Sequence, residues 1–198
     1  MRIETDGAHY AELQTAIQET RDIPGATCEI GCRRGGSSVM IMSGNIGKNK
    51  PHIAIDPYGN IDYQDRAGIH KSDYTNSMKL ESQMSLYQWA FQYSYNYIFF
   101  NLEDTEFFKR FSDGVPIYED IKRIENKFSL VFIDGPHHTK AVLEAFEYFK
   151  NKISVGGQII FDNYDHYPHN IEVEPVILQN SFVLHNTGAD KKVYKCIN

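Results

Sequence analysis

Short apolar runs alternate along this chain with segments whose apolar positions recur at helical spacing. Four of the runs are continuously apolar and bounded by polar or glycine residues, which predicts buried strands. Strands that are apolar on both faces are typical of a mostly parallel sheet covered by helices on both sides. The predicted strands are residues 26–30, 52–55, 129–133 and 158–161, and helices are predicted over 10–21, from about 39–42 onward, and over 140–150.

The C-terminal part has a different pattern. Apolar runs at 181–185 and 192–197 flank the polar stretch 186–190, which predicts an antiparallel hairpin. No repeat, low-complexity tract or long linker interrupts the chain. The sequence therefore predicts a single α/β domain over residues 1–198, in which residues 1–25 form an N-terminal helix and cap.

An aromatic segment in the middle of the chain is ambiguous. Aromatic residues alternate strictly from Tyr87 to Phe99, which is typical of a strand, yet part of the segment also fits one face of a helix. Because sixteen residues is long for one strand, we expect a helix to about Gln92, then a strand from about Asn96 to Leu102. The aromatic row is expected to belong to the core.

Composition narrows the functional classes. The chain has 198 residues, 41% of them hydrophobic and 23% charged, as in an ordinary globular protein. Its formal net charge of −6 argues against a general nucleic-acid binder, and no apolar run is long enough for a membrane span. Three scattered cysteines, without a secretory pattern at the N-terminus, indicate buried thiols in a reducing cytoplasm rather than disulfides or a zinc site. We therefore expect a small-molecule partner.

Acidic residues follow the predicted strands. In open parallel sheets, ligands bind beyond the carboxyl ends of the strands, so these side chains are expected to meet at one edge. The residues concerned are Glu29, Asp56, Asp104, Asp134 and Asp162.

The turn after the first strand favours a nucleoside cofactor. Gly31 and Gly35 permit a sharp turn, and Ser37, at the start of the next helix, suits a carboxylate. Asp56, at the end of the second strand, suits the two hydroxyls of a ribose. A dinucleotide fingerprint would need glycine where Arg33 stands, which argues against a nicotinamide-dependent dehydrogenase.

The run E-x-G-x-x-x-G-x-S, followed by an acid after the second strand, resembles class I S-adenosylmethionine-dependent methyltransferases. The chain is most similar to the cation-dependent O-methyltransferases of the catechol type. It also resembles the bacterial macrocin O-methyltransferase and cephalosporin-hydroxylase-like group, which shares the runs IDG-x-H and GG-x-I-I-F-D. The resemblance covers about residues 26–198.

This resemblance implies a Rossmann-like, mostly parallel sheet of seven strands with helices on both faces and a C-terminal antiparallel hairpin. It places Gly31 and Ser37 at the methionine end of S-adenosylmethionine, Asp56 at the ribose, and Asp104 and Thr105 near the adenine. The expected cofactor-binding set is Glu29, Gly31, Gly35, Ser37, Asp56, Asp104, Thr105 and Asp134.

Three oxygen-bearing side chains form a candidate metal site. Asp134, Asp162 and Asn163 follow two neighbouring predicted strands, and hard oxygen ligands favour Mg²⁺, Mn²⁺ or Ca²⁺ over zinc. The catechol-type enzymes hold their metal with the same Asp-Asn pair. A metal-free pocket with an ordinary polar turn at Asp162-Asn163 is the alternative.

His137 is the candidate general base, together with Asp134. An imidazole suits proton transfer near neutral pH, although His137 could instead cap the next helix; His138 is expected to be solvated. The catechol-type enzymes carry lysine at the place of His137, while the bacterial group carries histidine. This favours a hydroxyl of a sugar or secondary metabolite over that of a phenol.

The leading hypothesis is therefore a cation-assisted O-methyltransferase acting on a small hydroxylated molecule. Two alternatives remain: a metal-independent methyltransferase that relies on Asp134 or His137 alone, and a cofactor-binding module without turnover. Because only about 25 residues precede the first strand, the substrate side is expected to be open or covered by a second subunit in a homo-oligomer.

Overall fold

A computed structural model describes residues 4, 9–59, 61–65, 68–71 and 74–198. Within them one sheet has the strand order β6-β7-β5-β4-β1-β2-β3. Strands β1 to β5 run parallel, and β7 pairs antiparallel with both β5 and β6. The strands are β1 (Ala26–Ile30), β2 (His52–Ile55), β3 (Tyr97–Phe100), β4 (Phe128–Ile133), β5 (Ile153–Phe161), β6 (Phe182–Thr187) and β7 (Lys192–Cys196).

Helices connect the parallel strands, and two small antiparallel hairpins lie outside the sheet. None of the helices in the described part of the chain combines the length and apolar character that crossing a bilayer requires. The hairpins pair Asp62–Asp65 with Gly68–Lys71 and Val115–Ile117 with Arg123–Glu125. The helices are α1 (Ala11–Thr20), α2 (Gly36–Gly44), α3 (Asn76–Gln92), α4 (Asp104–Arg110), α5 (Thr139–Phe149), α6 (His169–Glu172) and α7 (Glu174–Leu178), and a 3₁₀ turn covers Tyr164–His166.

Helices cover both faces of the sheet, as predicted. Leu13 and Ile17 of α1 pack with Phe132 on one face, whereas Phe107 of α4 and Phe146 of α5 pack on the other. Because successive side chains of a strand point to opposite faces of the sheet, each strand contributes to the core on both faces. The α/β class, the parallel sheet and the C-terminal antiparallel hairpin are confirmed.

The predicted strand at 158–161 is longer than expected. β5 begins at Ile153 and runs through Gly156 and Gly157, which precede the strand predicted from the sequence. Any Cβ on Gly157 would come within 2.8 Å of the Ser154 carbonyl oxygen and 2.9 Å of the Ser129 carbonyl oxygen. Glycine therefore allows a close approach of the backbone within the sheet at this position.

The aromatic segment divides into helix and strand near the expected boundary, since α3 ends at Gln92 and β3 begins at Tyr97. The expectation that the whole row is core is wrong. Trp89 and Tyr97 are 6% exposed, but Phe91 is 88% exposed. Residues two apart lie about 200° apart around a helix, so a row that alternates in sequence cannot share one buried helix face.

Candidate functional site

A cavity of about 940 Å³ opens at the carboxyl ends of the parallel strands. This is the edge at which open α/β sheets bind ligands, and the volume lies within the range of small-molecule sites. Among the predicted cofactor residues, Gly31, Asp56, Asp104 and Thr105 line it. So do the predicted catalytic and metal-binding residues Asp134, His137, Asp162 and Asn163.

Gly31 is required by the packing of two strand ends. Its φ is +90°, and a Cβ would lie 2.1 Å from the backbone oxygen of Asp134. The N–H of Gly31 donates to Ile55 O at 2.9 Å, and the N–H of Asp134 donates to Ile30 O at 2.8 Å. The glycine therefore lets β4 end directly beside the turn after β1, which brings Asp134 to the cavity.

Asp56 fixes the same turn from the side of β2. One carboxylate oxygen accepts the backbone N–H groups of Cys32 and Arg33 at 2.9 and 2.8 Å, and the other accepts that of Tyr58 at 2.8 Å. The side chain is 2% exposed, and burial raises the pKa of Asp56 while these three hydrogen bonds oppose the rise. Asp56 is therefore already engaged in holding the turn, and ribose binding by it stays a prediction.

Three of the predicted cofactor residues do not line this cavity. Glu29 is fully buried beneath α2, where it accepts a hydrogen bond from Ser38 Oγ, because its position on β1 points to the helix face rather than to the edge. A Cβ on Gly35 would meet Leu86 of α3. Ser37 lines a separate recess of about 20 Å³. This recess shares Gly31 and Asp134 with the wall of the cavity, and cofactor binding by the three residues stays a prediction.

Asp104 and Thr105 begin α4, which follows the edge strand β3, and both line the cavity. Asp104 Oδ1 accepts the N–H of Thr105 at 2.8 Å, and burial raises the pKa of the Asp104 carboxyl. A carboxylate at the start of a helix is a good partner for hydroxyl and amine groups of a ligand. Their location agrees with the predicted adenine end, although no observation tests that contact.

The far side of the cavity holds an acidic pair with a buried lysine. The Asp134 carboxyl lies beside Asp162; burial, then the neighbouring Asp162 charge, raises the pKa of Asp134 well above its usual range. Lys191 Nζ lies 2.5 Å from Asp162 Oδ1, and the lysine is 3% exposed. The same ammonium lies 5.3 Å from the centre of the Tyr10 ring. Sequence reasoning did not single out Lys191.

His137 stands next to this cluster as a neutral imidazole. Its Nε2 lies 3.1 Å from Asn163 Nδ2, and burial lowers the pKa of His137 to about 4. His169 Nε2 donates to the backbone oxygen of His137 at 2.9 Å, which fixes the loop. It is His138 that caps α5, accepting from Ala141 N at 3.3 Å, so the expectation of a solvated His138 is corrected.

The three predicted metal ligands lie together but are not arranged to hold a cation. Asp162 is paired with the Lys191 ammonium, and the amide nitrogen of Asn163 faces His137. The Asp134 carboxyl lies beside Asp162. Among the described residues, no group of three or more His, Cys, Asp or Glu side chains could hold a metal ion. Because the Lys191 ammonium already occupies a carboxylate oxygen of Asp162, the donor set does not fit a divalent cation, and the structure gives the predicted Mg²⁺ site no support.

The sheet order, the antiparallel C-terminal hairpin and the cavity over the turn after β1 together define the fold of class I methyltransferases. A family model described as a methyltransferase domain matches residues 28–164, and the chain belongs to this family. The chain therefore carries a methyltransferase domain.

Known proteins share this fold at low sequence identity. The structure of the O-methyltransferase NovP superposes with a TM-score of 0.61 at 16% identity, over 94% of this chain and 78% of that one. CalS11, a TDP-rhamnose 3'-O-methyltransferase of calicheamicin biosynthesis, gives 0.61 at 14% identity, over 93% and 77%. An uncharacterised protein of Acanthamoeba polyphaga mimivirus, R132, is 28% identical over 149 residues. That match covers 75% of this chain and only 56% of R132.

Proposed function

We propose that this protein is an O-methyltransferase that moves the methyl group of S-adenosylmethionine to a hydroxyl of a small molecule. The observation that carries the proposal is a single cavity with Asp56, Asp104 and Thr105 at one end and the Asp134–Asp162 pair at the other. One end has partners for a nucleoside, and the other has groups that can accept a proton. The net charge of −6 supports a small acceptor over a nucleic acid.

When bound, S-adenosylmethionine supplies an electrophilic methyl group on a sulfonium. An acceptor hydroxyl forms the new carbon–oxygen bond, the carbon–sulfur bond breaks with its electron pair going to sulfur, and the hydroxyl proton must be taken up. The Asp134–Asp162 pair is our candidate for the proton acceptor, because both carboxylates line the cavity. His137 is held by Asn163 through Nε2, which makes it a positioning group of the acceptor wall in this proposal.

The nature of the acceptor is inferred from the relatives and the cavity wall. NovP and CalS11 are both described as O-methyltransferases, and CalS11 acts on a nucleotide sugar. The cavity wall around the acidic pair includes His166, Tyr167 and Asn163, polar or aromatic groups that suit a hydroxylated ring. A sugar or secondary-metabolite hydroxyl is therefore the first choice.

Cofactor binding is tested by thermal unfolding with S-adenosylhomocysteine. A ligand at 100 times its dissociation constant adds about 2.7 kcal/mol to stability, so a clear upward shift of Tm is expected. Asp104→Asn should reduce the shift, whereas Asp113→Asn, an exposed acid outside the cavity, should not. No shift in the wild-type protein would contradict the proposed cofactor site.

Turnover is tested by transfer of labelled methyl groups to a panel of sugars, nucleotide sugars, phenols and catechols. Asp134→Asn keeps the size of the side chain, and we expect it to lower transfer by roughly 10²–10⁴-fold while S-adenosylhomocysteine still binds. Binding of S-adenosylhomocysteine without transfer to any member of the panel would favour the cofactor-binding module instead.

A further inference from the structure

Lys191 brings a buried positive charge to the acceptor end of the cavity. It lies in the turn between β6 and β7, its side chain is 4% exposed, and its ammonium contacts Asp162 at 2.5 Å. An ammonium removed from water is costly unless an opposite charge is close. A buried lysine is therefore expected only where an opposite charge compensates it, and here the acidic pair of the cavity supplies that charge.

The backbone around Lys191 holds this charge in place. The carbonyl of Lys191 accepts the N–H of Gly188 at 2.9 Å within the hairpin turn. The carbonyl of Asp190 accepts the N–H of Tyr164 at 2.9 Å, which ties the turn to the loop after β5. The turn is therefore fixed at two points beside the cavity.

The neighbouring lysine shows that this placement is specific to residue 191. Lys192 Nζ pairs with Glu174 at 3.1 Å and lies 4.8 Å from the centre of the Tyr164 ring. Lys191 is part of the cavity wall, whereas Lys192 is not. Successive side chains at the start of a strand point to opposite sides, which explains why only one of the two reaches the site.

We infer that Lys191 is the resident cation of the acceptor site, occupying at Asp162 the position that a divalent metal ion would otherwise take. Its ammonium compensates the charge of the Asp134–Asp162 pair at the acceptor end of the cavity. The substrate class follows: a neutral or anionic hydroxylated molecule methylated without an added metal. The substrate class in this inference rests on the proposed function. The position of the Lys191 ammonium beside the acidic pair does not depend on it.

Binding of Mn²⁺ alone is the test, measured by the electron paramagnetic resonance of free Mn²⁺ in wild type, Lys191→Met and Lys192→Met. Removing one positive charge at contact distance from the Asp162 carboxylate should strengthen Mn²⁺ binding by about tenfold or more in Lys191→Met. Wild type and the matched control Lys192→Met should both bind Mn²⁺ weakly. The S-adenosylhomocysteine shift of Tm is recorded for all three, which tests the cofactor site separately.

Two results would overturn the inference. One is equal Mn²⁺ affinity in wild type and a folded Lys191→Met. The other is tight, stoichiometric Mn²⁺ binding by wild type that Asp162→Asn abolishes, and this comparison remains available if Lys191→Met does not fold. If S-adenosylhomocysteine gave no shift of Tm while the Mn²⁺ affinities were as expected, the proposed function would be contradicted. The assignment of Lys191 as the resident cation would still stand.

Discussion

The carboxylate of Asp56 accepts the backbone N–H of Cys32 at 2.9 Å, and this hydrogen bond joins the end of β2 to the turn after β1. The same oxygen accepts the N–H of Arg33 at 2.8 Å. Because the turn forms part of the cavity wall, the stability of the fold and the shape of the site depend on one side chain.

Asp56→Asn is therefore expected to change both stability and binding. The amide can present only one acceptor oxygen to three backbone donors, and each buried donor left unsatisfied costs about 1–3 kcal/mol. Urea unfolding should show the loss, and calorimetry should show weaker S-adenosylhomocysteine binding. Asp104→Asn, which accepts one backbone N–H, should weaken binding with little loss of stability; equal stability losses in both variants would contradict this account.

Gly31→Ala and Gly47→Ala separate two costs of replacing glycine. Both residues have positive φ, +90° and +78°, so both variants incur a backbone penalty of about 1 kcal/mol. Only at Gly31 would the Cβ also collide with a backbone oxygen, that of Asp134, whereas nothing lies within 4 Å at Gly47. Chemical denaturation should show a loss at Gly31 that exceeds the loss at Gly47 by several kcal/mol. Similar losses would mean that β4 can move away from the turn.

Lys50 should make stability depend on pH in the alkaline range. It is 8% exposed, its Nζ donates to Thr20 O at 2.6 Å, and burial lowers its pKa from 10.5 to about 8. Between pH 8 and 10.5 the unfolded chain binds more protons at this residue than the folded chain, so this contribution to stability rises with pH.

The measurement is urea unfolding of wild type and Lys50→Met at pH 8 and pH 10. The wild type should gain about 1–3 kcal/mol relative to the variant over this interval, because the variant lacks the titrating amine. The difference between the proteins cancels the ionisation of tyrosines and cysteines in both. A constant difference at the two pH values would contradict the prediction.

Trp89 and Phe91 provide a test of the corrected aromatic row. Trp89 packs in the core with its ring centre 4.5 Å from that of Tyr93, and Phe91 is 88% exposed. Truncation of a buried aromatic residue costs about 3–5 kcal/mol, so Trp89→Ala should lower Tm strongly. Phe91→Ala should change the free energy of unfolding by less than about 0.5 kcal/mol. A large loss for Phe91→Ala would indicate that another surface covers it.

Most of the fold followed from the sequence because buried strands and amphipathic helices have distinct periods. The runs at 26–30 and 52–55 became β1 and β2 with the predicted bounds. The first residues of β5 were not predicted as strand. Glycine is typical of turns because of its conformational freedom, but it also permits a close approach of the backbone inside a sheet. The burial of the aromatic row was predicted wrongly, because residues two apart in a helix lie on different sides of it and cannot all face the core.

The site was predictable only in part. Asp134, His137, Asp162 and Asn163 were found because they follow parallel strands, whose ends must meet. Lys191 was not found, since lysines in hairpin turns are common and its approach to Asp162 depends on the pairing of β7 with β5. The sequence pattern by itself does not indicate the contact between Lys191 and Asp162.

Because the chain is synthesised from its N-terminus, the position of Lys191 also has a consequence for the order of folding. Both acids are synthesised before the hairpin that carries the lysine, and that hairpin can pair with β5 only after the parallel strands exist. Until then the acidic pair lacks the ammonium that lies beside it in the folded protein. Docking of the final hairpin therefore brings the last strand of the sheet and the counter-charge of the site together.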